Sequence, residues 1–372
     1  MKIGILTLPL HTNYGGILQV YALQTVLERM GHNVFVLDKG QIRHLKVWEA
    51  LWIYPKRFAV KYVKRKNIDI FAIRHHNKIF PIISQYTQLF IDKYIHVLRV
   101  NDFSKLNSHD FDAIVVGSDQ IWRPEYNEKI ENAYLQFAEL WNIKRIAYAV
   151  SFGTDKWGYT AKQTNTCAAL ANKFKAVSVR EESGIHLCHD YLGIDAQLVL
   201  DPTMLLSAED YMEIVEKSNV KTSSGNLLCY ILDENEDKHK LIDLIAKEKK
   251  LIPFRVNSKV ENKKASISER VQPPVEQWIR GFYDAEFIIT DSFHACVFSI
   301  LFNKPFIVYG NEERGISRFV SLLQIFGLEN RLILNSGEYS SKIGIYSNKD
   351  AGRKLSALRT KSYAFLRKEI NE

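Results

Sequence analysis

The chain has 372 residues, 46% apolar and 25% charged, with a formal net charge of +8. That length allows about two domains at ~150 residues each, and the composition is that of a globular, core-forming protein. No run approaches the ~20 apolar residues of a membrane span. The four widely spaced cysteines, Cys167, Cys188, Cys229 and Cys296, form no C-x-x-C pair; they read as reduced core thiols, with neither disulfide nor zinc.

In chain order, "KIGILTL" (2–8) predicts a buried strand. The apolar run at the N-terminus is short and β-branched, and no small-residue cleavage site follows it, so a cytoplasmic protein without a secretory leader is expected. "GILQVYALQTVLERMGH" (16–32) has helical apolar spacing, and "NVFVLD" (33–38) is the next strand.

Between Arg43 and Lys78 lie ten cations opposed only by Glu49 and Asp69. Ten minus two is eight, the whole formal net charge. The same segment carries Trp48, Trp52, Tyr54, Phe58 and Tyr62. A basic, aromatic helical stretch of this kind suits an anionic membrane surface. It also reads as a solvated face with its aromatics turned to the core. No recognition motif elsewhere points to nucleic acid.

Strands "FDAIVVG" (111–117), "RIAYAV" (145–150), "AVSVR" (176–180) and "QLVLD" (197–201) follow, with a helix near 159–174. Ser207 is a helix-cap candidate. After the polar run at 216–226 the alternation restarts with "LLCYIL", "IPFRV", "EFIIT" and "PFIVYG", separated by helices. Repeated strand–helix alternation predicts parallel sheets covered by helices on both faces. The expected fold is α/β, with two doubly wound Rossmann-like domains facing a cleft. The first spans 1–204, with a basic helical insert over about 43–100. The second spans 205–345, and a C-terminal helix over 346–372 is free to pack back on the first.

Ligands of open parallel sheets bind beyond the carboxyl ends of the strands. There the sequence presents "HTNYGG" (11–16), "SDQIWRP" (118–124), "SFG" (151–153), Arg180, and Asp291-Ser292-Phe293-His294. Each also has a plainer reading. "NYGG" serves as a turn leading into a helix and is no dinucleotide fingerprint. "SDQIWRP" serves as a capped turn with Trp122 in the core. Arg180 can pair with Glu181 or Glu182, and His294 can be a cap. A helix N-terminus at Ser292–His294 favours an anion such as phosphate. A histidine beside it can move a proton near neutral pH, and an arginine can grip a second anion through two parallel hydrogen bonds. A small molecule bearing phosphate and carboxylate would satisfy both.

The ordered set "GILTLPLHTNYGGILQVYALQTVLERMGHNVFVLD", "DAIVVGSDQIWRPEYN", "AYAVSFG", "VSVREESG", "VLDPTMLL" and "FIITDSFHACVFSILFNKPFIVYG" resembles the polysaccharide pyruvyl transferase family over about residues 3–330. The resemblance implies a GT-B-like architecture. It also implies transfer of a pyruvyl group from phosphoenolpyruvate to two hydroxyls of a sugar, giving a cyclic ketal and free phosphate in cell-surface polysaccharide synthesis. By motif, the family's strand-end arginine falls on Arg180, and its Ser/Arg-Leu-His-type motif falls on Ser292-Phe293-His294. Phenylalanine stands here where leucine is common, and serine where some members carry arginine. Arg314 or Arg318 is a candidate to replace that arginine at the donor.

On this reading His294 is the general acid, and Asp119 binds or deprotonates a sugar hydroxyl. Trp122 stacks on the sugar, and Asn13, Tyr14, Ser118 and Gln120 contact the acceptor. Phosphoenolpyruvate is a substrate, and the scheme needs neither cofactor nor metal. The expected partners are a sugar or lipid-linked oligosaccharide and an anionic membrane surface at the inner face, with no nucleic acid. A GT-B glycosyltransferase using a nucleotide sugar, or a non-catalytic membrane-associated scaffold, fits the same alternation.

Overall fold

The computed structural model describes residues 1–42, 45–310, 315–341 and 349–372. The first half alternates β1 (Lys2–Leu6), α1 (Tyr14–Arg29), β2 (Asn33–Asp38), three helices α2 (Val47–Tyr62), α3 (Ala72–Ile83) and α4 (Gln85–Tyr94), then β3 (Val97–Arg99) and β4 (Ala113–Val116). It continues with β5 (Lys144–Val150), α5 (Ala161–Ala171), β6 (Ala176–Val179), α6 (Glu182–Leu187) and β7 (Gln197–Leu198). Among the described residues the strands form one parallel sheet in the order β3-β2-β1-β4-β5-β6-β7.

The second half runs α7 (Ala208–Glu216), β8 (Leu227–Tyr230), α8 (Glu236–Lys249), β9 (Pro253–Phe254), α9 (Ile267–Arg270), α10 (Val275–Asp284) and β10 (Phe287–Thr290). Then come α11 (Phe293–Leu301), β11 (Phe306–Tyr309), α12 (Ile316–Phe326), β12 (Leu332–Ile333) and α13 (Lys349–Asn371). Its parallel sheet has the order β12-β11-β10-β8-β9.

The pattern of burial explains why these stretches form central strands. "AIVV" in β4, "FIIT" in β10 and "FIVY" in β11 are buried at all four positions, as a parallel strand covered on both faces requires. Side-chain caps fix where helices begin. Asn13 accepts the Gly15 N–H at 3.0 Å, and Ser207 with Asp210 forms a reciprocal capping box on α7.

Both sheets are doubly wound, and each reverses strand order once. The first does so between β1 and β4, the second between β8 and β10. Such reversal points open a crevice at the carboxyl ends of the strands. Here the two crevices face each other, giving a GT-B-like pair of Rossmann-like domains. The Tyr14 hydroxyl lies 2.8 Å from the Pro273 carbonyl and 3.3 Å from that of Val256, while Gln272 Nε2 donates to the Thr12 carbonyl. These contacts join the first half to the second at the base of the cleft.

Helix α13 contacts the first sheet and its flank. Its Ser362 hydroxyl accepts from the Leu200 N–H, and its Arg359 donates to the carbonyls of Met204 and Leu206. Lys144 and Lys175 donate to the carbonyls of Ile370 and Glu369. All four cysteines are free and buried.

Candidate active site

A cavity of about 940 Å³ occupies the cleft. Its first-domain wall includes His11, Thr12, Asn13 and Gly15, which follow β1. Its second-domain wall includes Tyr230 to Glu234 after β8, and Ser292 and His294 after β10. The two reversal points thus contribute to one chamber. Ser292 precedes α11 without a side-chain cap, so the first N–H groups of that helix keep the positive end of its dipole.

His294 is buried, and its ring lies against the start of α1. A Cβ built on Gly15 would overlap the imidazole, so the close approach of the two domains requires glycine there. Among the described residues His294 Nε2 has no hydrogen-bond partner, and it lies 3.7 Å from Asp201 Oδ2. Burial pushes its pKa below the ordinary histidine value, and Arg180 and Arg318 push the same way. Asp201 and Asp119 oppose them. The imidazole of the free protein is therefore held towards its neutral form. Gly15→Ala should force this ring aside at a cost of about 1–3 kcal/mol, the usual size of overpacking. Chemical denaturation would measure it, and an unchanged midpoint would show that the ring swings freely.

Behind His294 lies a buried ionic cluster. Arg180 Nη1 donates to Asp201 Oδ2 at 2.7 Å, and Ser118 Oγ donates to the same oxygen at 3.1 Å. Arg180 Nη2 is 3.4 Å from Asp119 Oδ1, and Nε is 3.6 Å from Glu181 Oε2. Asp201 Oδ1 accepts from the Thr203 N–H and hydroxyl. Burial alone would raise the Asp201 pKa; Arg180, His294 and the Thr203 bonds outweigh it and hold the carboxyl below the ordinary range. Burial alone would lower the Arg180 pKa, but Asp201, Asp119 and Glu181 reverse the shift. Phe293 separates two cations: its ring lies 4.6 Å from the Arg180 guanidinium and 5.5 Å from that of Arg318. Burial, with Arg180 adding, lowers the Arg318 pKa to about 10.

Asp119 itself has φ = +67°. That region is sparsely used by residues other than glycine, with aspartate among the exceptions. The turn brings its carboxylate against both Gly16 and Arg180.

Of the residues singled out from sequence, Asn13, Ser292 and His294 line the cavity. Others lie deeper. Arg180, Phe293, Arg318, Ser118 and Asp119 are buried in or beside the cluster, and Gln120 accepts a hydrogen bond from Arg123. Two acceptor assignments are corrected. Trp122 is fully buried, stacked on Tyr134, with its ring N–H on the Ala133 carbonyl, so it has no face for a sugar. Tyr14 is equally buried, and its hydroxyl is taken by the second domain. Arg314 lies outside the described residues. The sequence reading overlooked Asp201, although it ends the strand "QLVLD" and the strand-end rule applies to it as much as to Arg180. It also overlooked Gly15 as the seat of the histidine.

Residues 13–313 match the family model described as polysaccharide pyruvyl transferase. No curated protein matches the sequence. Among solved structures, Alr3699/HepE from Anabaena in complex with UDP shares 11% identity at a TM-score of 0.50, with 100% of each chain covered. The UDP-GlcNAc 2-epimerase from Neisseria meningitidis bound to UDP-GlcNAc shares 12% at 0.46, covering 98% of this chain and all of that one. At such identity the likeness to the Anabaena protein is one of fold.

Proposed function

The chain belongs to the polysaccharide pyruvyl transferase family, and from that premise we propose that it moves a pyruvyl group from phosphoenolpyruvate to two hydroxyls of a sugar, forming a cyclic ketal and releasing phosphate. The observation that carries the reading is His294, a residue of the cleft cavity wall at the open N-terminus of α11, whose Nε2 has no hydrogen-bond partner among the described residues and is turned towards Asp201.

The donor phosphate sits at that helix N-terminus, near Ser292. Its negative charge draws a proton onto His294, which burial otherwise keeps neutral. His294 then delivers this proton to the methylene carbon, making the methyl group. The oxocarbenium that develops at the neighbouring carbon is attacked by one sugar hydroxyl. Phosphate leaves, and the second hydroxyl closes the ring. Two hydroxyl protons are lost: one balances the proton gained by the methyl carbon, and the other leaves with phosphate.

Asp119, close enough to favour the His294 cation, takes the hydroxyl proton in this scheme. Arg180 offers its Nε–Nη2 edge to the donor carboxylate. Its contacts there, at 3.4 and 3.6 Å, are longer than the ~2.8 Å of a charge-assisted hydrogen bond. Reaching that edge requires the Phe293 ring and the Asp119 and Glu181 carboxylates to give way. The acceptor takes the rest of the chamber, where Asn13 and Asn257 supply amides. The reaction is assigned to the cytoplasm, on a sugar that is free or carried on lipid.

The test is thermal stabilisation by phosphoenolpyruvate, UDP and GDP, followed by mass spectrometry of products from a panel of galactosides, mannosides and N-acetylhexosaminides. Phosphoenolpyruvate should stabilise the protein and pyruvylate at least one acceptor. Stabilisation by UDP or GDP alone would replace this reading with a nucleotide-sugar transferase.

A further inference from the structure

Helix α2 is amphipathic in the reverse of the usual sense. At ~100° per residue, Trp48, Leu51, Trp52, Pro55, Phe58, Ala59 and Tyr62 fall within one stripe about 120° wide. A helix on a globular protein ordinarily turns such a stripe to the core. Here it faces out. Trp48, Leu51, Trp52, Phe58 and Tyr62 are 60%, 69%, 78%, 56% and 58% exposed, and no residue of the helix is buried. The half-buried positions, Glu49, Ala50, Ile53, Tyr54, Arg57, Val60 and Lys61, lie on the opposite side. Tyr54 packs on Phe71, and Arg57 donates to the Asp69 carbonyl. Attachment thus uses the mixed face and leaves the apolar one to solvent, a contiguous patch that calls for an occupant.

We propose that this face docks on a phospholipid bilayer bearing anionic headgroups. Its charge fits: Lys56 stands beside the stripe, and Lys64, Arg65 and Lys66, all exposed, follow the helix directly. Nearby acids are Glu49 and Asp69, and Asp69 is engaged by His75. Tryptophan and tyrosine favour the headgroup level of a membrane, and basic side chains above it meet anionic lipid. The 16-residue helix is about 24 Å long at 1.5 Å per residue, suited to lying in the interface. No helix among the described residues is long and apolar enough to cross a membrane. A second copy of the chain fits less well, because a two-fold contact would set like charges against each other. A chain of contacts links the surface to the active site. From α2 the chain passes through residues 69–71 into α3, which packs against α9, and Glu269 of α9 lines the cleft cavity. Membrane docking there would hold the mouth of the cleft close to a lipid-borne acceptor, while standing independently of the pyruvyl-transfer reading.

The test uses the full chain with vesicles of phosphatidylcholine alone or mixed with phosphatidylglycerol. Trp48 and Trp52 are the exposed tryptophans, so docking should shift tryptophan emission to the blue. The protein should sediment with the mixed vesicles at physiological salt and be released as salt rises. Replacing Lys64, Arg65 and Lys66 together by glutamine should lower the partition coefficient about 100-fold. Trp48→Ser with Trp52→Ser should abolish sedimentation without altering the melting temperature. Absence of wild-type binding, or binding untouched by both sets of changes, overturns the proposal. So does a dimer in solution that Trp48→Ser with Trp52→Ser converts to monomer, which would assign the face to a second copy.

Discussion

His294→Gln is expected to keep the fold and slow pyruvyl transfer by about 10²–10⁴-fold, the usual size of a lost proton-transfer group. The N–H groups at the start of α11 remain, so donor affinity should change much less than turnover. The same substitution should alter the pH dependence of stability. The folded His294 has a pKa below the ordinary 6.5 because it is buried, so between 6.5 and that lower value the unfolded chain binds more protons. Stability therefore falls as pH drops through this window and levels off below the folded pKa. Glutamine has no proton to gain, so denaturation midpoints of the variant should fall less across the window. A second signature follows from the mechanism: if phosphoenolpyruvate draws a proton onto His294, binding near neutral pH should take up protons. Calorimetry in buffers of different ionisation enthalpy would detect this. A variant with near wild-type turnover and unchanged proton uptake would remove His294 from the chemistry.

Arg180→Ala should destabilise the protein by about 3–5 kcal/mol, the cost of leaving one side of a buried ion pair uncompensated. Asp201, Asp119 and Glu181 all face that guanidinium, and Asp201 and Glu181 are almost wholly buried. Loss of activity in this variant would say little about donor binding. Arg180→Lys separates the two roles, because it keeps a cation beside Asp201 and removes the planar fork. It should retain most of the stability and weaken phosphoenolpyruvate binding by at least about tenfold. The alanine variant carries a further signature. Without Arg180, the folded pKa of Asp201 should rise, because burial is then opposed only by His294 and the Thr203 bonds. The stability that a lowered carboxyl loses as pH falls should therefore be smaller in the variant than in the wild type. A urea midpoint shifted by the equivalent of less than about 1 kcal/mol would mean that the cluster is held together without its cation.

Much of the architecture was written in the local pattern. Parallel strands buried on both faces leave continuous apolar runs, and "AIVV", "FIIT" and "FIVY" show them plainly. Short edge strands do not. Val97–Arg99 and Leu332–Ile333 were missed because so few residues carry no period. At the site, strand-end position singles out Arg180 and His294, but it cannot give depth. Trp122 follows a strand like a ligand-facing residue, yet a stack with Tyr134 draws it into the core. Tyr14 follows β1 in the same way and is claimed by a carbonyl more than two hundred residues on. Such partners are set by how the two halves close. The outward stripe of α2 was equally hidden, because periodicity reports that an apolar face exists and not which way it is turned.

The late position of α13 has a consequence during synthesis. Phe365, Leu366 and Ile370 are buried, with Phe365 against Tyr148 beneath the first sheet. The strands of that sheet leave the ribosome before Asp201, whereas α13 begins at Lys349. At about 5–20 residues per second, the patch that these side chains cover stays open for roughly 10–30 s in each nascent chain. Over that interval the first domain is a half-sealed body with an apolar seam, and it is there that a chaperone would find a handhold.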